Sequence, residues 1–169
     1  MNKLQYDEEK ILLTRLENLL EIFKENEIRI SLAESCTGGY ISHMITNIPG
    51  ASEILDRGVV TYSNQSKVDL LSIDSALIEK FGAVSEVVAK QMAEAVRRIS
   101  QAEIGIGVTG IAGPTGGTLL KPVGTVFIAI SFKGRLTSLK FVFRTSRIGF
   151  KKKVLESVIS MLEEIVETI

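Results

Sequence analysis

Ser35, Cys36 and Thr37 stand side by side, after the apolar run Ile28-Arg29-Ile30-Ser31-Leu32-Ala33 and Glu34 and directly before Gly38 and Gly39. A strand giving way to a helix at this point exposes its side chains at the sheet edge and turns backbone N–H groups toward whatever binds there. That arrangement suits a nucleophile attacking a group whose developing negative charge the N–H groups can hold. Tyr62 and Lys67 follow a second apolar run, Gly58 to Tyr62. The five-residue step between them leaves a strand end, crosses a turn and enters a helix, which can bring a phenol and an amine to the same crevice. A lysine acts as a general base once desolvation or a neighbouring cation lowers its pKa. A neutral Lys67 can take the Ser35 proton, with Tyr62 orienting the lysine or relaying a proton to the leaving group. The structural alternatives are a capped, glycine-softened turn for Ser35 to Gly39, a solvated helix residue for Lys67 and an edge aromatic for Tyr62.

A third polar region runs from Thr109 to Thr118 and holds four glycines. Glycines let successive N–H groups converge on phosphate oxygens. The segment lacks the Lys-Ser or Lys-Thr of a Walker loop and opens no helix as a dinucleotide fingerprint does. It indicates a phosphorylated or nucleotide-like ligand, with Lys121 and Arg147 as the nearest basic groups to close on that charge. Glu34 is positioned to hold Lys67, to contact the ligand or to sit solvated in the turn. Cys36 competes with Ser35 as nucleophile, because a helix N-terminus lowers thiol pKa, but no second residue is dedicated to activating it. His43, next to Met44, reads as a helix-face residue. Glu156 and the pair Glu163-Glu164 lie on a polar helix face and call for no metal.

Behind these residues the spacing predicts a helix over 11–22 ended by Asn26, a strand over 28–33, a helix over 38–46 opened by Thr37, and a strand over 58–62. A turn over 63–66 precedes short helices over 67–71 and 73–81. A clear helix reaches Ile99, capped by Ser85, with Val88, Met92, Ala95, Val96 and Ile99 on one face. Ile104 to Val108 alternates with glycine and reads as a buried strand against which something packs closely. A strand over 123–132, a turn at 133–135 and a return strand over 136–143 form a hairpin. Ser146 caps a last helix to Val166, with Val154, Leu155, Val158, Leu162 and Ile165 inward. Strands alternating with helices, then a hairpin, imply an α/β fold with helices on both faces of a mixed sheet. If the first three strands are parallel, the three polar regions meet at their carboxyl ends.

The 169 residues fit one domain spanning 1–169. Twenty basic and twenty acidic residues cancel, which argues against a broad nucleic-acid face. One cysteine and one histidine exclude an internal disulfide and a cysteine- or histidine-rich metal site. Met1 to Lys10 is charged and lacks the apolar core of a signal peptide, and no apolar run is long enough to span a bilayer. A cytoplasmic location, with no membrane or nucleic-acid partner, is the expectation.

Ala33-Glu34-Ser35-Cys36-Thr37-Gly38-Gly39, Thr61-Tyr62-Ser63-Asn64 with Lys67, and Val108-Thr109-Gly110-Ile111-Ala112-Gly113-Pro114 with Lys121-Pro122-Val123-Gly124-Thr125-Val126 resemble the C-terminal domain of the competence/damage-inducible CinA proteins. That family includes a stand-alone nicotinamide-nucleotide amidase. The likeness runs from about Glu9 to Ile165. The larger CinA proteins carry an additional N-terminal domain that this sequence does not include. The resemblance implies a three-layer α/β/α sandwich over a mixed, mostly parallel five-stranded sheet, a homodimer or higher homo-oligomer, and no cofactor or metal. It implies hydrolysis of the carboxamide of nicotinamide mononucleotide, with Ser35 as nucleophile and Tyr62 and Lys67 as its catalytic partners. Glu34, Thr37, Gly38, Gly39, Asn64, Thr109, Gly113 and Arg147 are then expected to line the substrate, with Arg147 reading the phosphate. The family commonly has Gly-Asp-Arg where this chain has Thr145-Ser146-Arg147. Two other classes of function compete: a non-catalytic nucleotide-binding module, and a structural or assembly domain without affinity for small phosphorylated ligands. A phosphoryl-transfer enzyme is disfavoured, because no Mg²⁺-binding carboxylates flank the glycine-rich loop.

Overall fold

Helix α1, Lys3–Glu25, opens the chain in the computed structural model, which describes residues 3–169 and side chains from Glu9 onward. The expectation that the charged Met1 to Lys10 stretch is no signal peptide thus falls partly on residues outside those described. Leu12, Leu16, Leu19, Leu20 and Phe23 recur at helical spacing and are buried, each side chain stabilising the fold by about 1.5–3 kcal/mol. The helix stops where expected, before Asn26, and Glu27 turns the chain with φ of 54°.

There follow β1 (Ile30–Glu34), α2 (Tyr40–Thr46), a 3-10 turn (Ala51–Glu53) and β2 (Leu55–Val60). Next come α3 (Asn64–Leu71), α4 (Ser75–Phe81), α5 (Glu86–Ser100) and β3 (Ile104–Gly110). The hairpin β4 (Thr125–Phe132) and β5 (Arg135–Val142) precedes α6 (Arg147–Val166). The strands form one sheet in the order β2-β1-β3-β4-β5. β1 pairs parallel with β2 and β3, while β4 runs antiparallel to both β3 and β5. The sheet is therefore mixed and mostly parallel, with β4 as the reversed strand.

Side-chain alternation along β1 assigns the two faces. Ile30 and Leu32 join the core shared with α1, α2 and α6. Ala33 points to the opposite core, shared with α3, α4 and α5. Gly105 and Gly107 let α5 settle onto β3: a Cβ at those positions would stand 2.1 Å from the Ala93 carbonyl oxygen and 2.3 Å from that of Ala89. Only glycine tolerates so close a backbone approach.

Several boundaries differ from the sequence reading. Thr37 does not open α2. The helix begins at Tyr40, and its N-cap is Gly39, with φ of 88° and no side-chain cap of its own. The segment 63–66 is the first turn of α3 rather than a separate turn, because Ser63 caps the helix by accepting from the Ser66 N–H at 2.9 Å. Ile99 is 43% exposed rather than inward. The glycine approach draws the Ala89–Ala93 side of α5 onto the sheet and leaves Ile99 at the margin. β4 starts at Thr125, after Gly124 turns the chain with φ of 94° against the Phe143 carbonyl.

Candidate active site

The register of the three parallel strands decides what meets at their carboxyl ends. Glu34 lies beside Val60 on one side and Val108 on the other. One residue further, the Ser35 N–H donates to the Val108 carbonyl at 3.0 Å and the Thr61 N–H donates to the Glu34 carbonyl at 2.8 Å. Ser35 thus continues β1 between its neighbours and alternates onto the face covered by α3, the helix that carries Lys67. Glu34 alternates onto the opposite face, beneath α2.

Lys67 is 1% exposed and Ser35 7%. Lys67 Nζ hydrogen-bonds Ser35 Oγ at 3.1 Å and donates to the carbonyls of Thr61 at 2.8 Å and Ser63 at 3.4 Å. Burial lowers the amine's pKa; a lesser opposing effect comes from the neighbouring Cys36 thiol. A neutral amine has two N–H groups and one lone pair. With the two carbonyls taking the N–H groups, the lone pair is left for the Ser35 hydroxyl proton, which is the geometry of a nucleophile and its base.

The two carbonyls that hold Lys67 are partners the sequence reading missed. The i, i+4 spacing of Ser63 and Lys67 in a helix was the available signal. Tyr62 does not orient the lysine. It is 60% exposed, and its hydroxyl accepts from Arg147 Nη2 at 2.8 Å. Arg147 Nη1 donates to the Gly113 carbonyl. The arginine therefore ties the start of α6 to the β2–α3 turn and to the glycine-rich loop.

Glu34 neither holds Lys67 nor faces a ligand. It is fully buried, and its carboxylate accepts four hydrogen bonds: from the Gly39 and Ile41 N–H groups at 3.1 Å each, and from the Ser42 N–H and hydroxyl at 2.8 and 2.7 Å. It caps α2 from the neighbouring strand and fixes the turn that carries Ser35. Cys36 is buried, and burial pushes its thiol pKa up to about 12, so it remains a protonated core group.

The Gly38 N–H donates back to the Ser35 carbonyl at 3.1 Å and is not available to an oxyanion. The Cys36 and Thr37 N–H groups donate to no backbone or side-chain oxygen among the described residues. Both act on the Cys36 sulfur, and they are the N–H groups next in sequence after Ser35. The Thr37 hydroxyl is buried with no partner, as is that of Thr61. Thr109 follows Val108 on the adjacent strand β3, beside Ser35, but its hydroxyl donates to the Ala83 carbonyl at 2.8 Å and anchors the α4–α5 connection. Asn64 is an exposed residue at the start of α3. Lys121 donates to the Phe81 carbonyl at 2.9 Å, on the α4 side of the glycine-rich loop. The loop presents the Gly113 carbonyl, not its N–H, to Arg147. Exposed His43 lies one turn along α2 beside Asn47. Glu163 pairs with Arg15, and Glu156 with Lys153. Among the described residues no group of histidine, cysteine, aspartate and glutamate is arranged to hold a metal, and no helix is long and apolar enough to cross a membrane.

Fold and site together define an open α/β domain with a buried serine–lysine pair at the carboxyl ends of its parallel strands. The chain belongs to the CinA C-terminal domain family, whose model matches residues 13–166. A CinA-like protein of Anaeromyxobacter sp. is 45% identical over 134 residues, covering 79% of this chain and 33% of the relative. A CinA-like protein of Endomicrobium trichonymphae is 45% identical over 138 residues, covering 82% of this chain and 32% of the relative. The chain thus spans about a third of the length of the curated relatives it matches. Among solved structures, a CinA-superfamily protein of Klebsiella pneumoniae superposes with a TM-score of 0.89 at 25% identity, covering 94% of this chain and 99% of that one. The competence/damage-inducible protein CihA of Agrobacterium tumefaciens gives 0.88 at 35% identity, covering 90% and 94%.

Proposed function

We propose that this chain is an amidohydrolase that converts nicotinamide mononucleotide and water to nicotinate mononucleotide and ammonia. The observation that carries the proposal is the 3.1 Å contact between Ser35 Oγ and the Nζ of a lysine removed from solvent. Membership of the CinA C-terminal domain family supports the choice of substrate through the resemblance of its three motifs.

Ser35 Oγ attacks the carboxamide carbon as its proton passes to Lys67 Nζ. The carbonyl oxygen becomes an oxyanion facing the Cys36 and Thr37 N–H groups. As the carbon–nitrogen bond breaks, the Lys67 ammonium returns that proton to the departing nitrogen, and ammonia leaves. Water then attacks the ester on Ser35, Lys67 takes its proton, and the Ser35–carbon bond breaks. The proton returns to Ser35 Oγ, which restores the pair. The positive pyridinium ring makes the amide carbon more electrophilic and favours the uncharged form of a nearby lysine. The thiol of Cys36 has no part in these steps.

Incubating the purified chain with nicotinamide mononucleotide tests the reaction. Equimolar ammonia and nicotinate mononucleotide are expected. Binding of the mononucleotide without either product would instead identify a nucleotide-binding module. Absence of both binding and turnover would leave a structural role.

A further inference from the structure

We infer that Thr61 is a third catalytic residue beside Ser35 and Lys67: its hydroxyl, without a partner in the resting site, donates to Ser35 Oγ once Lys67 holds the serine proton. The inference rests on the serine–lysine reading of the site and adds a donor for the oxygen that the lysine leaves negative.

Strand register puts Thr61 beside the nucleophile. Ala33 pairs with Val59 and Glu34 with Val60, and the Thr61 N–H donates to the Glu34 carbonyl at 2.8 Å. The next lateral pair is therefore Ser35 and Thr61. Paired residues of parallel strands project to one face. Ala33 and Val59 already share the core under α3, α4 and α5, so Thr61 projects with Ser35 toward the helix that carries Lys67. Adjacent strands lie about 4.8 Å apart, which leaves the two hydroxyls one side-chain rotation from each other. Lys67 Nζ ties both residues together, through Ser35 Oγ at 3.1 Å and the Thr61 carbonyl at 2.8 Å.

Thr61 is fully buried, and its hydroxyl has no hydrogen-bond partner. A buried hydroxyl in that state lowers stability, and a valine would fill nearly the same volume without the penalty. Packing therefore does not call for a threonine here. Thr109, on the other side of Ser35, differs: its hydroxyl is committed to the Ala83 carbonyl. Thr37 is also buried with an unpartnered hydroxyl. It lies two residues past Ser35, in the turn, where no strand register puts it on the Ser35 face.

The reaction creates the partner that Thr61 lacks. When Lys67 takes the serine proton, its ammonium has three N–H groups and three acceptors: the Thr61 carbonyl, the Ser63 carbonyl and Ser35 Oγ. None of the three N–H groups is left for the Thr61 hydroxyl. Ser35 Oγ, by contrast, gains negative charge, and Lys67 is its one side-chain partner among the described residues. A second donor stabilises that charge in the transition state. The Thr61 hydroxyl supplies the hydrogen bond and keeps its own proton, so no covalent bond forms or breaks at Thr61. The same contact recurs when Ser35 Oγ leaves the acyl carbon during deacylation.

The experiment compares wild type with Thr61→Val, Thr61→Ser and Thr37→Val. It measures thermal unfolding, ammonia release from nicotinamide mononucleotide, and the second-order rate at which diisopropyl fluorophosphate labels Ser35, followed by intact mass. Thr61→Val should unfold at the wild-type temperature or above it. Its kcat/KM and its labelling rate should nevertheless fall by roughly tenfold or more, the effect of one hydrogen bond to a charged group. Thr61→Ser keeps the hydroxyl and should stay within about threefold of wild type on both rates. Thr37→Val should lose less than Thr61→Val. A merely structural Thr61 would move stability and activity together. A Thr61→Val protein that keeps wild-type rates, or whose Tm falls with its activity, overturns the inference. So does a Thr61→Ser protein as slow as Thr61→Val, or a larger loss in Thr37→Val. If wild type is labelled at Ser35 but releases no ammonia, the amidase reading fails, and the Thr61 inference stands or falls on the labelling rates. If wild type does neither, both fail.

Discussion

Replacing Glu34 with glutamine separates a structural carboxylate from a substrate-binding one. The side chain keeps its shape, but one of its two oxygens becomes an NH₂ group. Each oxygen now accepts two hydrogen bonds, Oε2 from Gly39 and Ile41 and Oε1 from the two donors of Ser42. Turned toward Gly39 and Ile41, the NH₂ group faces two N–H donors; turned toward Ser42 it faces only one, because the Ser42 hydroxyl can rotate and accept from it. The second orientation is the favoured one, and the one hydrogen bond to a charged group that it loses costs about 1.5–3 kcal/mol. For a domain of this size each kcal/mol lowers Tm by about 2–4 °C, which gives a fall of about 3–12 °C. Thermal unfolding by calorimetry or circular dichroism measures it. Hydrogen exchange should show the Gly39, Ile41 and Ser42 amides losing protection before the rest of the sheet. Turnover should fall as well, because the same carboxylate holds the turn that carries Ser35. A Glu34→Gln protein with unchanged Tm, normal protection in α2 and only a raised KM would refute the reasoning and return Glu34 to the substrate.

Lys67→Met should abolish turnover while leaving the chain folded, since the methionine stem refills the buried space; steady-state ammonia release and thermal unfolding check the two halves. The wild-type pH profile has a fixed sign. Burial lowers the Lys67 pKa, the protonated amine cannot accept the serine proton, and kcat/KM should therefore rise with pH along a limb below the usual lysine value of about 10.4. The same shift makes the unfolded state bind the proton more readily, so stability rises with pH between the lowered value and the usual one, and Lys67→Met should flatten that slope in denaturant titrations. A profile flat into the acid range sinks the base assignment. Cys36→Ala should keep most of the activity at a stability loss of about 1 kcal/mol; a folded but inactive Cys36→Ala protein would mean that the thiol is the nucleophile.

Much of this architecture was legible because strong local signals agreed with the fold. The alternating glycines of Ile104-Gly105-Ile106-Gly107 announced a strand under close packing, and α5 does approach there. The polar stretches after three strands pointed to one sheet edge, and the register of β1 with β2 and β3 places Ser35 and the start of the β2–α3 turn side by side. The carboxylate was not legible in this way. A glutamate before a serine looks solvated or ligand-facing, and only the alternation of β1 shows that it points beneath α2. Nor was the Tyr62 contact, since the partner of an exposed phenol is set by an arginine 85 residues away. Thr37 misled as a helix opener because the sequence shows the capping residue type but not the left-handed Gly38 and Gly39, with φ of 62° and 88°, that postpone the helix to Tyr40. Long-range contacts of that kind leave no local periodicity to read.

The most direct test of the central claim is the rate of ammonia release from nicotinamide mononucleotide by wild type and by Ser35→Ala at equal folded concentration. The account predicts measurable turnover by wild type and a loss of about 10²-fold or more in Ser35→Ala, with an unchanged unfolding transition. Ser35→Ala retaining more than about a tenth of wild-type activity would contradict it, because the reaction would then not pass through the serine that Lys67 holds.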